Sequence, residues 1–131
     1  MSTTPRAPWA RITWGVYAVV IATLTHWPML QLPATGLSRS DLMLHIGVFA
    51  AWTALFIRCG WFGPVTSKRN IALGGLCALA YAALDEGTQA IPGVRRFVGW
   101  DDFSANMLGV ATGVAAVLAV CALDPPRPTR R

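Results

Sequence analysis

Charged residues are scarce in this chain. Asp, Glu, Lys and Arg make up only 13% of its 131 residues, where a typical soluble domain has about 25%. A small soluble protein needs charged side chains to cover its surface, whereas a protein surrounded by lipid does not. With 54% of its residues hydrophobic, the composition favours a membrane protein over the alternative, a soluble helical domain with a large core.

Cysteine is scarce as well. The chain has three cysteines, all in or beside apolar segments: Cys59, Cys77 and Cys121. An odd number without close spacing argues against a disulfide framework and against a zinc site. We therefore expect small buried side chains at these positions, and we predict neither a bound metal nor a cofactor.

Long stretches without any charge run through the chain. Residues 12–30 and 103–123 are runs of 19 and 21 residues without Asp, Glu, Lys or Arg. As helices rising about 1.5 Å per residue, both are long enough to cross a hydrocarbon core of about 30 Å. Residues 42–57 and 71–84 are shorter, so they reach this length only if polar flanking residues occupy their terminal turns. The pattern predicts an all-α fold, a polytopic membrane protein built as a bundle of four transmembrane helices.

The segments between these runs are short and rich in Pro and Gly, which end helices. We expect one membrane domain over residues 1–123, with spans at about 11–30, 41–58, 70–90 and 102–123. Asn70 and Asp102 are the predicted starts of the third and fourth helices. The sequence DPPRPTRR at residues 124–131 indicates a basic disordered tail.

Basic residues divide unequally between the two sides that four spans would create. Eight fall on the side of both termini and the central loop, and three fall on the other side: Arg39, Arg95 and Arg96. The positive-inside rule therefore places both termini in the cytoplasm, in a bacterial inner or plasma membrane. With this orientation, the residues responsible for the net charge of +5 lie on the cytoplasmic side, where they face anionic lipid. We predict the lipid bilayer as a partner and no nucleic acid, because nucleic-acid binding needs a folded soluble basic surface.

Polar residues gather at the predicted outer ends of the spans. Asp41 and His45 lie four residues apart and share one helix edge, as do Glu86 and Gln89, which lie three apart. His26 is expected at the outer membrane interface. A further group forms one stripe of the fourth span, in which a GxxxG step lets a neighbouring helix approach: Asp102, Asn106, Gly109 and Gly113. We expect this stripe to pack against the third span.

An ionised side chain that faces lipid costs about 3 kcal/mol even on lenient insertion scales, so these groups should point inward. We predict an outward-opening polar pocket, with Gly109 and Gly113 as helix-packing residues. The predicted pocket residues are Asp41, His45, Glu86, Gln89, Arg96, Asp102 and Asn106. Simpler roles stay open for two of them, since Asp102 can serve only as a helix cap and His45 only as a hydrogen-bonding group within the bundle.

Three short motifs, in this order, resemble the VanZ-like family of small bacterial membrane proteins: SDLMLHIGVFA, DEGTQ and DDFSANMLGVATG, with an arginine-bearing Pro-Gly loop before the last. The resemblance covers about residues 40–113. It implies a multi-pass membrane protein, and the family's namesake is associated with low-level resistance to teicoplanin, a lipoglycopeptide antibiotic. The family arginine corresponds to Arg96 counted back from Asp102, or to Arg95 counted forward from Gln89. A lysine common in the family after the first aspartate is Leu42 here.

Three functions remain open on the sequence. The first is binding of an envelope component, such as a lipid head group or glycolipid, with a link to teicoplanin resistance implied by the resemblance. The second is an enzyme acting on a lipid-linked envelope substrate, in which Asp41, His45 and Glu86 would supply a base and its orienting carboxylate. In a variant of this hypothesis, Asp, Glu and His side chains would instead hold a divalent metal. The chain has no nucleophile elbow, HExxH motif or phosphate-binding glycine loop in support of it. The third is a small transporter whose acids relay protons. No feature of the sequence sets the oligomeric state.

Overall fold

The computed structural model describes residues 8–27, 40–89, 91 and 100–123, and these residues form four helices without a strand. The helices are α1, α2, α3 and α4, which span Pro8–Thr25, Ser40–Arg58, Lys68–Gln89 and Trp100–Leu123. The predicted all-helical architecture is therefore confirmed for this part of the chain. The predicted tail at residues 124–131 and the loop with Arg95 and Arg96 lie outside the described residues.

Local interactions set the helix limits, which differ from the predicted spans by a few residues. Pro8 occupies the first position of α1, where its missing N–H costs no hydrogen bond. The hydroxyl of Ser67 accepts a hydrogen bond of 3.2 Å from the backbone N–H of Asn70, so Ser67 caps α3. Asn70 is thus inside the first turn rather than at the start. Asp102 likewise lies in the first turn of α4, which begins at Trp100.

Contacts between helix ends show an up-down-up-down bundle. Thr25 at the end of α1 lies 2.9 Å from Asp85 near the end of α3 (Oγ1 to Oδ1). His45 near the start of α2 lies 2.8 Å from Asn106 near the start of α4 (Nδ1 to Oδ1). The Cys59 thiol, just after α2, donates to the carbonyl of Ala10 near the start of α1 over 3.4 Å. Consequently α1 and α3 run one way, and α2 and α4 run the other.

This topology separates the charges of the described residues between the two ends of the bundle. One end, called here the acidic end, holds all of their carboxylates: Asp41, Asp85, Glu86, Asp101 and Asp102. The opposite, basic end holds all of their Lys and Arg side chains: Arg11, Arg58, Lys68 and Arg69. The division agrees with the charge asymmetry expected from the sequence.

The closest helix contact is between α2 and α4. A Cβ atom on Gly109 would lie 2.6 Å from the carbonyl oxygen of Ile46, and one on Gly113 would lie 2.5 Å from that of Ala50. Only glycine permits this approach, because no side-chain carbon fits at such distances. The expected pairing of this glycine stripe with the third span is wrong: the stripe packs on α2. The third helix meets α4 beside it, where a Cβ on Gly75 would lie 3.3 Å from Val114 Cγ2.

Aromatic side chains join α1 to α2, and α2 to α3. Trp52 of α2 stacks on Tyr81 of α3 at a centroid separation of 4.7 Å and an angle of 8°. Trp14 of α1 meets the edge of Trp52 at 5.5 Å. The Tyr17 hydroxyl donates to the carbonyl of Val48 over 3.0 Å. α1 therefore contacts α2 and α3, whereas it makes no contact with α4.

Within the described residues, several polar side chains are buried and many large apolar side chains are exposed. Asp85, Glu86 and Asn106 are buried, whereas large apolar side chains such as Val19 and Leu84 are exposed to 67% and 65%. Soluble proteins seldom bury carboxylates and usually expose few large contiguous apolar surfaces. Two helices, α2 over Asp41–Arg58 and α4 over Trp100–Leu123, are long and apolar enough to cross a membrane.

Candidate functional site

The candidate site is at the acidic end, where the last turns of α1 and α3 meet the first turns of α2 and α4. Two hydrogen-bonded groups of side chains occupy it. The first joins α1 to α3 around Asp85, and the second joins α2 to α4 through His45 and Asn106. Asp85 and Asn106 are buried at the centres of these two groups, whereas Thr25, His26, His45 and Thr88 are half-buried.

Asp85 is the centre of the first group. Its residue is only 2% exposed. Its Oδ1 accepts a hydrogen bond from the hydroxyl of Thr25 at 2.9 Å, and its Oδ2 accepts one from Nε2 of Gln89 at 3.0 Å. Nδ1 of His26 lies 3.9 Å from Oδ1. A buried carboxylate is tolerable only when it is paired or hydrogen-bonded, and Asp85 has partners from two helices.

His26 connects the same two helices through its other ring nitrogen. Its Nε2 lies 2.8 Å from the hydroxyl oxygen of Thr88. Its Nδ1 lies 3.0 Å from both the carbonyl oxygen of Ala22 and the hydroxyl oxygen of Thr25. The imidazole is thus held on both sides. His26 was expected at the outer interface, and it lies at the acidic end of the bundle. There it also contacts α3 through Thr88.

His45 and Asn106 form the second group. The N–H at Nδ1 of His45 donates to Oδ1 of Asn106 over 2.8 Å. Asn106 is fully buried, and its Nδ2 has no hydrogen-bond partner among the described residues. A buried amide N–H₂ normally has a partner, because leaving it without one costs about 1–3 kcal/mol. The Nδ2 group of Asn106 is therefore a buried donor with unused hydrogen-bonding capacity.

Glu86 adds a second buried carboxyl group at this end. The residue is 5% exposed and follows Asp85 directly, so the two carboxylates leave α3 on adjacent faces. The described residues at this end include five carboxyl groups and no Lys or Arg. Such an arrangement favours a cationic or hydroxyl-rich group over an anion.

The structure brings some of the predicted site residues together at the acidic end and leaves others apart. His45 and Asn106 are brought together, and Gln89 and Glu86 are buried at the same end. Asp41 is exposed and makes no hydrogen bond to His45 among the described contacts. The remaining pocket residues are the half-buried Asp102 in the first turn of α4, and Arg96, which lies outside the described residues.

The sequence did not assign three residues to the site: Thr25, His26 and Thr88. Asp85 lies four residues before Gln89, so the sequence places it on the same outer polar edge, although not among the predicted pocket residues. For the α1 residues no signal existed in the local pattern. Their role depends on the packing of α1 beside α3, which no spacing within one helix encodes.

The described residues provide no metal centre, since no group of three or more His, Cys, Asp or Glu side chains is arranged to hold an ion.

The thiol of Cys59 is at the basic end of the bundle. Its pKa is raised by burial above the ordinary value, which keeps it in the protonated form that donates hydrogen bonds.

Comparison with known proteins gives no relative: no family model, no curated protein and no solved structure matches the chain.

Proposed function

We propose that the chain is a four-span protein of a bacterial inner or plasma membrane, with both termini in the cytoplasm and the acidic end facing outward. Two observations support the proposal. Large apolar side chains cover the outside of all four helices, and the basic residues of the described part gather at the opposite end. Lipid would solvate the exposed apolar side chains. The positive-inside rule would place the clustered basic residues on the cytoplasmic side.

We further propose that the acidic end binds the polar head group of an envelope component, with a hydroxyl-rich head group such as a sugar as the best fit. The observation that carries this proposal is the fully buried amide of Asn106, whose Nδ2 has no partner among the described residues. A ligand hydroxyl can accept from Nδ2 and donate to a carboxylate such as that of Glu86. The VanZ-like resemblance of residues 40–113 supports a role at the envelope and extends the proposal to teicoplanin resistance.

The test is retention of a defined glycolipid. Purified protein in detergent is incubated with glucosyl-diacylglycerol or with diacylglycerol of the same chains, and native mass spectrometry measures the bound fraction. We expect selective retention of the sugar lipid. The Asn106→Leu and Glu86→Gln variants should each lose about tenfold in affinity, because each removes a hydrogen bond to a buried polar group.

The control is Asp41→Asn, which changes an exposed carboxylate at the same end and should retain the glycolipid within about twofold. Equal retention of the two lipids by the unmodified protein would contradict the proposed head-group site. So would full retention in both Asn106→Leu and Glu86→Gln.

A further inference from the structure

Two grooves flank α4 at the basic end. The first has a volume of about 440 Å³ and lies over the last turns of α2, between the start of α1 and the end of α4. The second has a volume of about 870 Å³ and lies between α3 and α4. They are called here the α2 groove and the α3 groove. Thr66, in the connection between α2 and α3, lines both grooves.

The walls of both grooves are apolar and open to the side of the bundle. Ala54, Ala116 and Val120 line the α2 groove, which stays open because α1 and α4 do not touch. The α3 groove is bounded by a different set of apolar side chains, including Leu76, Leu79, Met107, Ala111 and Leu118. An acyl chain of the surrounding bilayer can enter such grooves laterally, without leaving an apolar environment.

Each groove has one basic residue in its wall, and both grooves reach Thr66. Arg58 lines the α2 groove and Lys68 lines the α3 groove. Every carboxylate of the described residues is at the other end of the bundle, and neither Arg58 nor Lys68 forms an ion pair within the described part. Arg11, by contrast, is placed over the ring of Trp61 at 4.3 Å from its centroid. Arg58 and Lys68 are therefore available to an external anion.

We propose that an anionic phospholipid of the surrounding leaflet binds at this end. Its phosphate lies beside the Thr66 hydroxyl between Arg58 and Lys68, and its acyl chains occupy the two grooves. This inference rests on the proposed membrane insertion with the basic end in the cytoplasm, whose leaflet carries the anionic lipids. It is independent of the head-group site at the acidic end.

The experiment compares phosphatidylglycerol with phosphatidylcholine of identical chains, by native mass spectrometry of detergent-purified protein. We expect preferential retention of phosphatidylglycerol. Each of Arg58→Gln and Lys68→Gln should weaken phosphatidylglycerol binding about fivefold, and the double variant about thirtyfold. These values follow if each basic residue contributes the binding free energy of a Lys or Arg near an anionic membrane surface. The double variant Arg58→Lys, Lys68→Arg should retain the preference.

The matched control is Arg69→Gln, which removes an exposed positive charge at the same end that lines neither groove. It should change phosphatidylglycerol binding less than twofold. Equal binding of the two phospholipids, or an equal loss in Arg69→Gln and Arg58→Gln, would overturn the proposal in favour of general surface electrostatics. Neither result would alter glycolipid retention or sidedness, so failure of this inference is distinguishable from failure of the proposed function.

Discussion

Replacing Gly113 by leucine is expected to prevent α2 and α4 from packing and to destabilise the bundle by more than about 3 kcal/mol. The Cβ alone would lie 2.5 Å from the carbonyl oxygen of Ala50 and 2.8 Å from Cβ of Thr53. The first obstacle is backbone, which no rotamer change can move. The helices would have to separate along their closest contact. Thermal unfolding in detergent, followed by circular dichroism, measures the loss.

The control for this prediction is the same change at another glycine of the same helix pair. A Cβ on Gly47 of α2 meets nothing within 4 Å, and the residue is exposed. Gly47→Leu should therefore unfold within a few degrees of the unmodified protein. If Gly113→Leu and Gly47→Leu unfolded alike, the close α2–α4 contact would not exist as described.

Replacing Asp85 by alanine is expected to release the end of α1 from α3. The change removes the acceptor for Thr25 and for Gln89, and it takes away the carboxylate 3.9 Å from His26. Leaving a buried hydrogen-bond donor without its acceptor typically costs about 1–3 kcal/mol. Asp85→Asn should cost less, because the amide oxygen can still accept from Thr25.

A double-mutant cycle isolates the contact between the two helices. Thr25→Val, Asp85→Ala and their combination should show a coupling energy of about 0.5–3 kcal/mol in thermal or denaturant unfolding. Asp41→Ala, which truncates an exposed carboxylate at the same end, should change the free energy of unfolding by less than about 0.5 kcal/mol. Additive effects of Thr25→Val and Asp85→Ala would mean that this contact does not join α1 to α3.

The number of helices and their approximate positions could be predicted from the sequence, because long apolar runs separated by Pro and Gly indicate helices. The polar residues on one helix could also be grouped, since positions three or four apart share a face. This reasoning identified Glu86, Gln89 and Asn106 at one end of the bundle. It works because it depends only on the geometry of a single helix.

Which helix faces which could not be predicted in the same way. The GxxxG stripe at Gly109 indicated a close contact, yet both α2 and α3 offer small residues to receive it. The choice of α2 depends on the fit of its backbone at Ile46 and Ala50, which is a property of two helices together. For the same reason the partnership of Thr25 and His26 with Asp85 was not visible in the sequence. Contacts between residues 60 positions apart follow from packing.

The most direct test of the central claim is the sidedness of four exposed positions at successive helix ends: Trp27, Trp61, Ile91 and Leu123, which are 57%, 41%, 55% and 85% exposed. Each is replaced by cysteine in a background whose native cysteines are changed to serine, and a membrane-impermeant maleimide is added to intact spheroplasts. The account predicts labelling at positions 27 and 91 in intact spheroplasts, and at positions 61 and 123 only after lysis. Labelling of two successive positions from the same side would contradict a four-span bundle with its acidic end facing outward.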